Sequence, residues 1–177
     1  MKINGNNYSQ IRIKAIISVM LCSAFIFVSC GSRSTTSDSE GFKELQELVS
    51  SRDFEIQNDW ALPIGGGNIN LIGNPNLIKI KNDSVEVYLP YFGVRQSGGN
   101  YGSAEGGINF EGKLDNFEIE ENASKGNIEV KFEAKENNEN YDFIITLFPN
   151  RKTRTRVISS QRTSISYEGE VKQTSED

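Results

Sequence analysis

The side chains that most often do chemistry at neutral pH are histidine, cysteine and tuned carboxylates, and this sequence contains no histidine at all. Its two cysteines, Cys22 and Cys30, both lie near the N-terminus. A Ser-His-Asp triad, a Cys–His pair and the usual zinc sites are therefore excluded. Carboxylates remain, and Glu105, Asp115, Glu118, Glu120 and Glu121 are the residues from which an acid and base pair for glycoside hydrolysis would be drawn. Raising a carboxyl pKa takes burial or a close like charge. These five occupy polar, turn-like or strand-exposed stretches, so they read as solvated faces. No Asp-x-Asp-x-Asp-Gly calcium loop and no Gly-x-x-x-x-Gly-Lys-Ser/Thr phosphate loop occurs. The glycines around Asn100 lack the strand-to-helix setting of a nucleotide site. The expectation is a protein that is not an enzyme, with no catalytic residue, no cofactor and no metal.

Binding is the chemistry left. Val85 to Gly93 opens as an alternating strand and ends in an aromatic knot, Tyr88, Tyr91 and Phe92 around Pro90, which fixes its own φ and removes a backbone donor where a strand ends. With Tyr101 in the glycine-rich stretch that follows, these aromatics form one candidate binding surface; the alternative is a corner of the core. A second candidate is the basic run Arg151, Lys152, Arg154, Arg156 and Arg162, with no acidic residue before Glu168. Arg154 and Arg156 share a strand face and suit an anionic glycan or lipid headgroup; the alternative is pairing with acids on a neighbouring strand. Asp83-Ser84-Val85 resembles the Asp-Ser/Thr-aliphatic acceptor for O-glycosylation of envelope proteins, which makes Ser84 a candidate acceptor, with an ordinary turn as the alternative.

Residues 1–29 read as an export signal. Lys2, Arg12 and Lys14 precede an apolar run from Ala15 to Val28, shorter than the roughly 20 residues a spanning helix needs. The run ends in Phe27-Val28-Ser29-Cys30-Gly31, which resembles the lipobox of bacterial lipoproteins, so Cys30 is expected to be acylated and to become the first residue of the mature chain. Cleavage removes three basic residues and leaves 16 basic against 24 acidic, a net charge of −8. Nucleic acid, whose binding needs clustered Lys and Arg, is disfavoured as a partner. Gly31 is not the aspartate that resembles an inner-membrane retention signal. An outer-membrane lipoprotein of a Gram-negative bacterium follows, its domain in the periplasm or at the cell surface. Its expected partners are the membrane, through Cys30, and a lipid, a glycan or an envelope protein.

Residues 30–40 are small and polar, a tether of about 16 to 19 Å as a flexible coil. The β-rich domain spans 41–172, with a disordered tail at 173–177. It begins with a helix from about Gly41 to Ser51, capped by Asp38 or Ser39, whose Phe42, Leu45, Leu48 and Val49 share one face and cover a sheet. The period then changes to 2. Phe54, Ile56, Trp60 and Leu62 suggest a first strand. Leu77 to Lys81 and Ser84 to Leu89 form a hairpin about Asn82-Asp83, which sets Ile80 opposite Val85, Lys79 opposite Glu86 and Ile78 opposite Val87. Ile108 to Gly112 and Leu114 to Glu120 read as short strands, and Ile128, Val130, Phe132 and Ala134 as a half-buried one. Tyr141 to Phe148 is apolar on both faces and reads as a central strand covered on each side. Lys152 to Ser159 and Ser164 to Val171 complete a mainly β fold, an antiparallel sheet of about 8–10 short strands curled into a sandwich or open barrel behind one N-terminal helix.

With the lipobox, the helix, Tyr88-Leu-Pro-Tyr-Phe-Gly93, Gly107-Ile-Asn-Phe110 and Ile165-Ser-Tyr-Glu-Gly169 in view, the chain resembles the domain-of-unknown-function family numbered 4251 over about Phe42 to Val171. The resemblance implies a small exported bacterial protein, often a lipoprotein, and it carries over no functional residue. The sequence thus leads to a non-catalytic envelope lipoprotein that binds a ligand or partner. Its alternatives are a structural envelope protein without a small ligand, a lipid or lipoprotein carrier with a curved sheet cupping an acyl chain, and, last, a carboxylate-dependent glycan hydrolase.

Overall fold

The computed structural model describes residues 36–96, 106–136 and 138–174. The export signal, Cys30, the tether up to residue 35, Tyr101, Glu105 and residues 175–177 lie outside the described residues. Among the described residues one helix, α1 (Thr36–Ser51), precedes ten strands: β1 (Asp53–Pro63), β2 (Ile69–Asn70), β3 (Leu77–Lys81), β4 (Ser84–Pro90), β5 (Gly107–Lys113), β6 (Asp115–Asn122), β7 (Asn127–Glu136), β8 (Glu139–Leu147), β9 (Lys152–Ser159) and β10 (Ile165–Gln173).

The pairings are antiparallel and run in the order β5-β4-β3-β1-β10-β9-β8-β7-β6, with β2 added to β1. The two ends of that order are consecutive in the chain, separated only by Leu114. A single kinked ribbon therefore pairs β4 with its first half and β7 with its second. The sheet is nearly closed into a barrel. Leu114 is buried at the kink, and its N–H donates to the Asp83 carbonyl in the β3–β4 turn at 2.9 Å. Closure of this kind removes most of the edge that a flat sheet of this width would expose.

Alternation then fills the interior. Ile78, Ile80, Val85 and Val87 point inward from the β3–β4 hairpin in the expected register, with Ile80 opposite Val85 and Lys79 opposite Glu86. Asn82 turns the hairpin with φ 55°, a left-handed conformation asparagine tolerates better than most residues. Phe132 and Phe143, opposite each other on β7 and β8, stack with centroids 4.5 Å apart. From β10 the expected set Ile165, Tyr167, Gly169 and Val171 faces in. These side chains form one contiguous buried cluster.

Helix α1 covers one end of the barrel rather than a face of the sheet. Leu45, Leu48 and Val49 are buried, Phe42 packs against the core with them, Glu44 reaches Arg151 in the β8–β9 turn, and Gln46 reaches Glu121 near the end of β6. The helix begins at Thr36, ahead of the expected Gly41, so Asp38 and Ser39 lie inside its first turn instead of capping it. Because the helix caps an end, β8 is covered on one side only. Its Ile144 and Thr146 are half-exposed on the outer surface, which corrects the expectation of a strand covered on both.

β1 departs from simple alternation at one point. Asn58 pairs with Gly169 and Trp60 with Glu168, so Asp59 is an extra residue, a β-bulge. Ahead of the bulge the even positions Phe54, Ile56 and Asn58 face inward; beyond it Ala61 does, and Trp60 is turned out. Gly169 makes the bulge possible, since a Cβ there would lie 2.1 Å from the Gln57 carbonyl oxygen.

Candidate functional site

Two constellations stand out. The first follows from the bulge. Trp60 is 39% exposed although it carries the largest apolar surface of any side chain, and it stands at a pocket of about 390 Å³ on the outer surface. Asp59 and Trp60 of β1, Glu168 and Gly169 of β10, Lys152, Thr153 and Arg154 of β9, and Phe148 form its walls. β10 lies between β1 and β9, so three adjacent strands position every charged group at the pocket. Arg154 is opposite Glu168 in register and donates to its Oε1 from Nε at 3.1 Å and from Nη2. Lys152 donates to Glu170 at 2.6 Å. That hydrogen bond, with the charges of Glu170 and Asp59, holds the Lys152 ammonium above its usual pKa.

For Lys152 and Arg154 these pairs are the cross-strand alternative to an anion site. Arg154 and Lys152 are exposed, but each is engaged by an acid on the next strand, so their positive field is largely neutralised where an anion would have to bind. Arg156 is exposed on the same strand face, opposite Ser166 and Ile144.

The second constellation closes the end of the barrel opposite α1. Glu139, at the start of β8, has a side chain only 2% exposed, and it accepts from Arg162 Nε at 2.9 Å, from Arg95 Nη2 at 3.1 Å and from the Ser159 hydroxyl. Arg162, 8% exposed, also donates to the Gly107 carbonyl at 3.0 Å and lies 5.1 Å above the Tyr91 ring. The Tyr91 hydroxyl donates to the Thr163 carbonyl at 2.9 Å, and the Tyr167 hydroxyl to the Pro90 carbonyl at 2.9 Å. Desolvation of Glu139 works to raise its pKa, but hydrogen bonds from Ser159, Arg162 and Tyr141, with the Arg162 charge, outweigh it and hold the carboxyl below its ordinary value. Burial is the main cause that pushes the Tyr141 hydroxyl up to about 12 and raises that of Tyr167 as well.

A carboxylate held ionised between two guanidiniums is the opposite of a general acid. What this cluster does is mechanical: it ties the segment after β4 to the start of β5 and to the β9–β10 connection. Gln96 donates to the Gln161 carbonyl at 2.7 Å and Thr163 to that of Val94 at 3.0 Å, which completes the clasp.

The knot residues do not come together. Tyr88 is 47% exposed on the outer surface of β4, opposite Asn109 of β5. Tyr91 belongs to the clasp, and Phe92 packs against the core beside it. Ser84 is exposed at the hairpin turn, its hydroxyl donating to the Lys81 carbonyl at 2.8 Å. Asp115, Glu118, Glu120 and Glu121 are all exposed on β6.

Three members of these constellations were not legible as such in the sequence. Trp60 was legible as a strand residue, and its being the sole tryptophan was a signal, but a one-residue bulge cannot be seen in a period-2 pattern. Glu139 sat in a run of Asn and Glu that reads as a plain turn. Arg95 is brought to it only by long-range pairing.

A model of the family described as Domain of unknown function (DUF4251) matches residues 36–171. The fold is similar to that of a solved DUF4251 family protein from Bacteroides eggerthii DSM 20697, with 13% sequence identity, a TM-score of 0.59, and coverage of 77% of this chain and 90% of that one. No curated protein matches.

Proposed function

For this chain, which belongs to the DUF4251 family, we propose the role of a non-catalytic binding module held at the outer membrane by lipid on Cys30, with the outer-surface pocket at Trp60 as its ligand site. The observation that carries this reading is the outward turn of the sole tryptophan at a concave, charge-lined wall. A bulge that leaves an aromatic of this size half in water gives up burial of an apolar side chain, and bulges recur where a side chain has to be re-aimed. The pocket falls within the roughly 300–1,000 Å³ of small-molecule sites.

A carrier with an acyl chain inside the barrel is the less favoured form, because the inward side chains already pack as one contiguous cluster. A purely structural role predicts an inert pocket. Native mass spectrometry of the lipidated protein, gently extracted from its own membrane, separates the two. A co-purifying mass increment that disappears in Trp60→Ala is expected; an increment that survives the substitution, or none in the wild type, overturns the reading.

A further inference from the structure

The chemistry of the pocket wall goes further than its existence. We propose that the site takes a neutral saccharide, one pyranose ring lying on the Trp60 indole and its hydroxyls reaching the carboxylates and cationic donors beside it; this rests on the pocket being the ligand site at all.

Charge balance is the first argument. The wall holds two acids, Asp59 and Glu168, and two bases, Lys152 and Arg154. The bases are matched by acids in place, Arg154 by Glu168 and Lys152 by Glu170. With Glu170 counted the wall carries one acid more than it has bases, Asp59 being the excess, so an entering anion meets like charge and has to compete with an existing ion pair. A hydroxyl is different: it donates to a carboxylate and accepts from a guanidinium or ammonium without breaking either pair. A ligand dense in uncharged groups that both donate and accept is the one this wall suits.

Shape gives the second. An indole face carries negative quadrupole charge and attracts the weakly positive hydrogens on the apolar face of a sugar ring. An acyl chain would use Trp60 but cover the charged groups beside it without offering them a hydrogen bond in place of water. A saccharide has one apolar face for the indole and a rim of hydroxyls for the charges, matching both halves of the pocket. The bulge and Gly169 fix the indole's origin on the strand, so the stacking platform is built into the backbone.

Because Trp60 is the only tryptophan, its emission reports this site alone. The wild-type protein is titrated with maltotriose, cellotriose and triacetylchitotriose, with trigalacturonate as an anionic probe and Phe-Ala-Phe as a peptide probe. At least one neutral sugar is expected to shift the emission saturably, with little dependence on salt. By calorimetry that sugar should bind on the order of ten-fold or more weakly to Trp60→Ala, and measurably more weakly to Glu168→Gln, while Tyr88→Ala binds as wild type. Trp60→Phe, which keeps a ring, guards against loss of folding and should retain part of the affinity. If trigalacturonate or the peptide binds through Trp60 and no neutral sugar does, the saccharide assignment is wrong while the binding site stands. If no probe moves the emission and no Trp60-dependent mass increment accompanies the native protein, both readings fall.

Discussion

Glu139 shows how far one buried side chain can organise a surface. Two guanidiniums, a serine hydroxyl and a tyrosine converge on it, and removing it strands Arg162 in a buried position. Glu139→Ala should therefore cost roughly 3–5 kcal/mol, measured by urea denaturation, as expected when one partner of a buried pair is lost. The same group sets an acid limit. Its folded pKa lies below the ordinary 4.5, so its contribution is present above that value and is lost as pH falls through the lower folded value. The stability gap between wild type and Glu139→Gln is expected to narrow as pH drops below about 4.5; a gap that is constant down to pH 2 contradicts the clasp. Tyr141 has the opposite sign: raised to about 12, it contributes fully below its ordinary 10.0 and loses that contribution as pH climbs through the folded value. At Gly169 a methyl group would collide with the Gln57 backbone, so Gly169→Ala should destabilise by about 1–3 kcal/mol or more and shift the Trp60 emission.

Strand by strand, the sequence and the fold agree wherever apolar residues alternate without interruption. The hairpin of β3 and β4, the inward set of β10 and the bounds of β9 were all legible, because a period-2 pattern and an Asn-containing turn determine both face and register. What stayed hidden depends on geometry that no local pattern encodes: the bulge that re-phases β1, the kink at Leu114 that lets one ribbon serve both edges, and the placing of α1 over an end. The kink joins edges that are far apart in the strand order but adjacent in sequence. The helix face and its packing on the sheet were legible, but not its place over an end of the barrel, since amphipathicity shows that a face is buried and not against which part of the sheet. Leu45→Ala should lose about 2–5 kcal/mol, whereas Lys43→Ala on the exposed side should stay within roughly 0.5 kcal/mol of wild type.

On the largest scale, the described residues form a small barrel closed at one end by a helix and at the other by an ionic clasp, with its candidate ligand site outside, on β1, β10 and β9. A lipid on Cys30 would tether the barrel to the membrane. Cys30→Ser is expected to lose the acyl mass increment and to leave the washed membrane fraction; a variant that stays bound there would mean another anchor. The most direct test of the central claim is photo-crosslinking in cells, with p-benzoylphenylalanine placed at Trp60 and, separately, at Tyr88, two exposed aromatics on the same barrel. The account predicts a defined adduct from position 60 and none from position 88. Adducts from position 88 alone, or none from position 60, would contradict it.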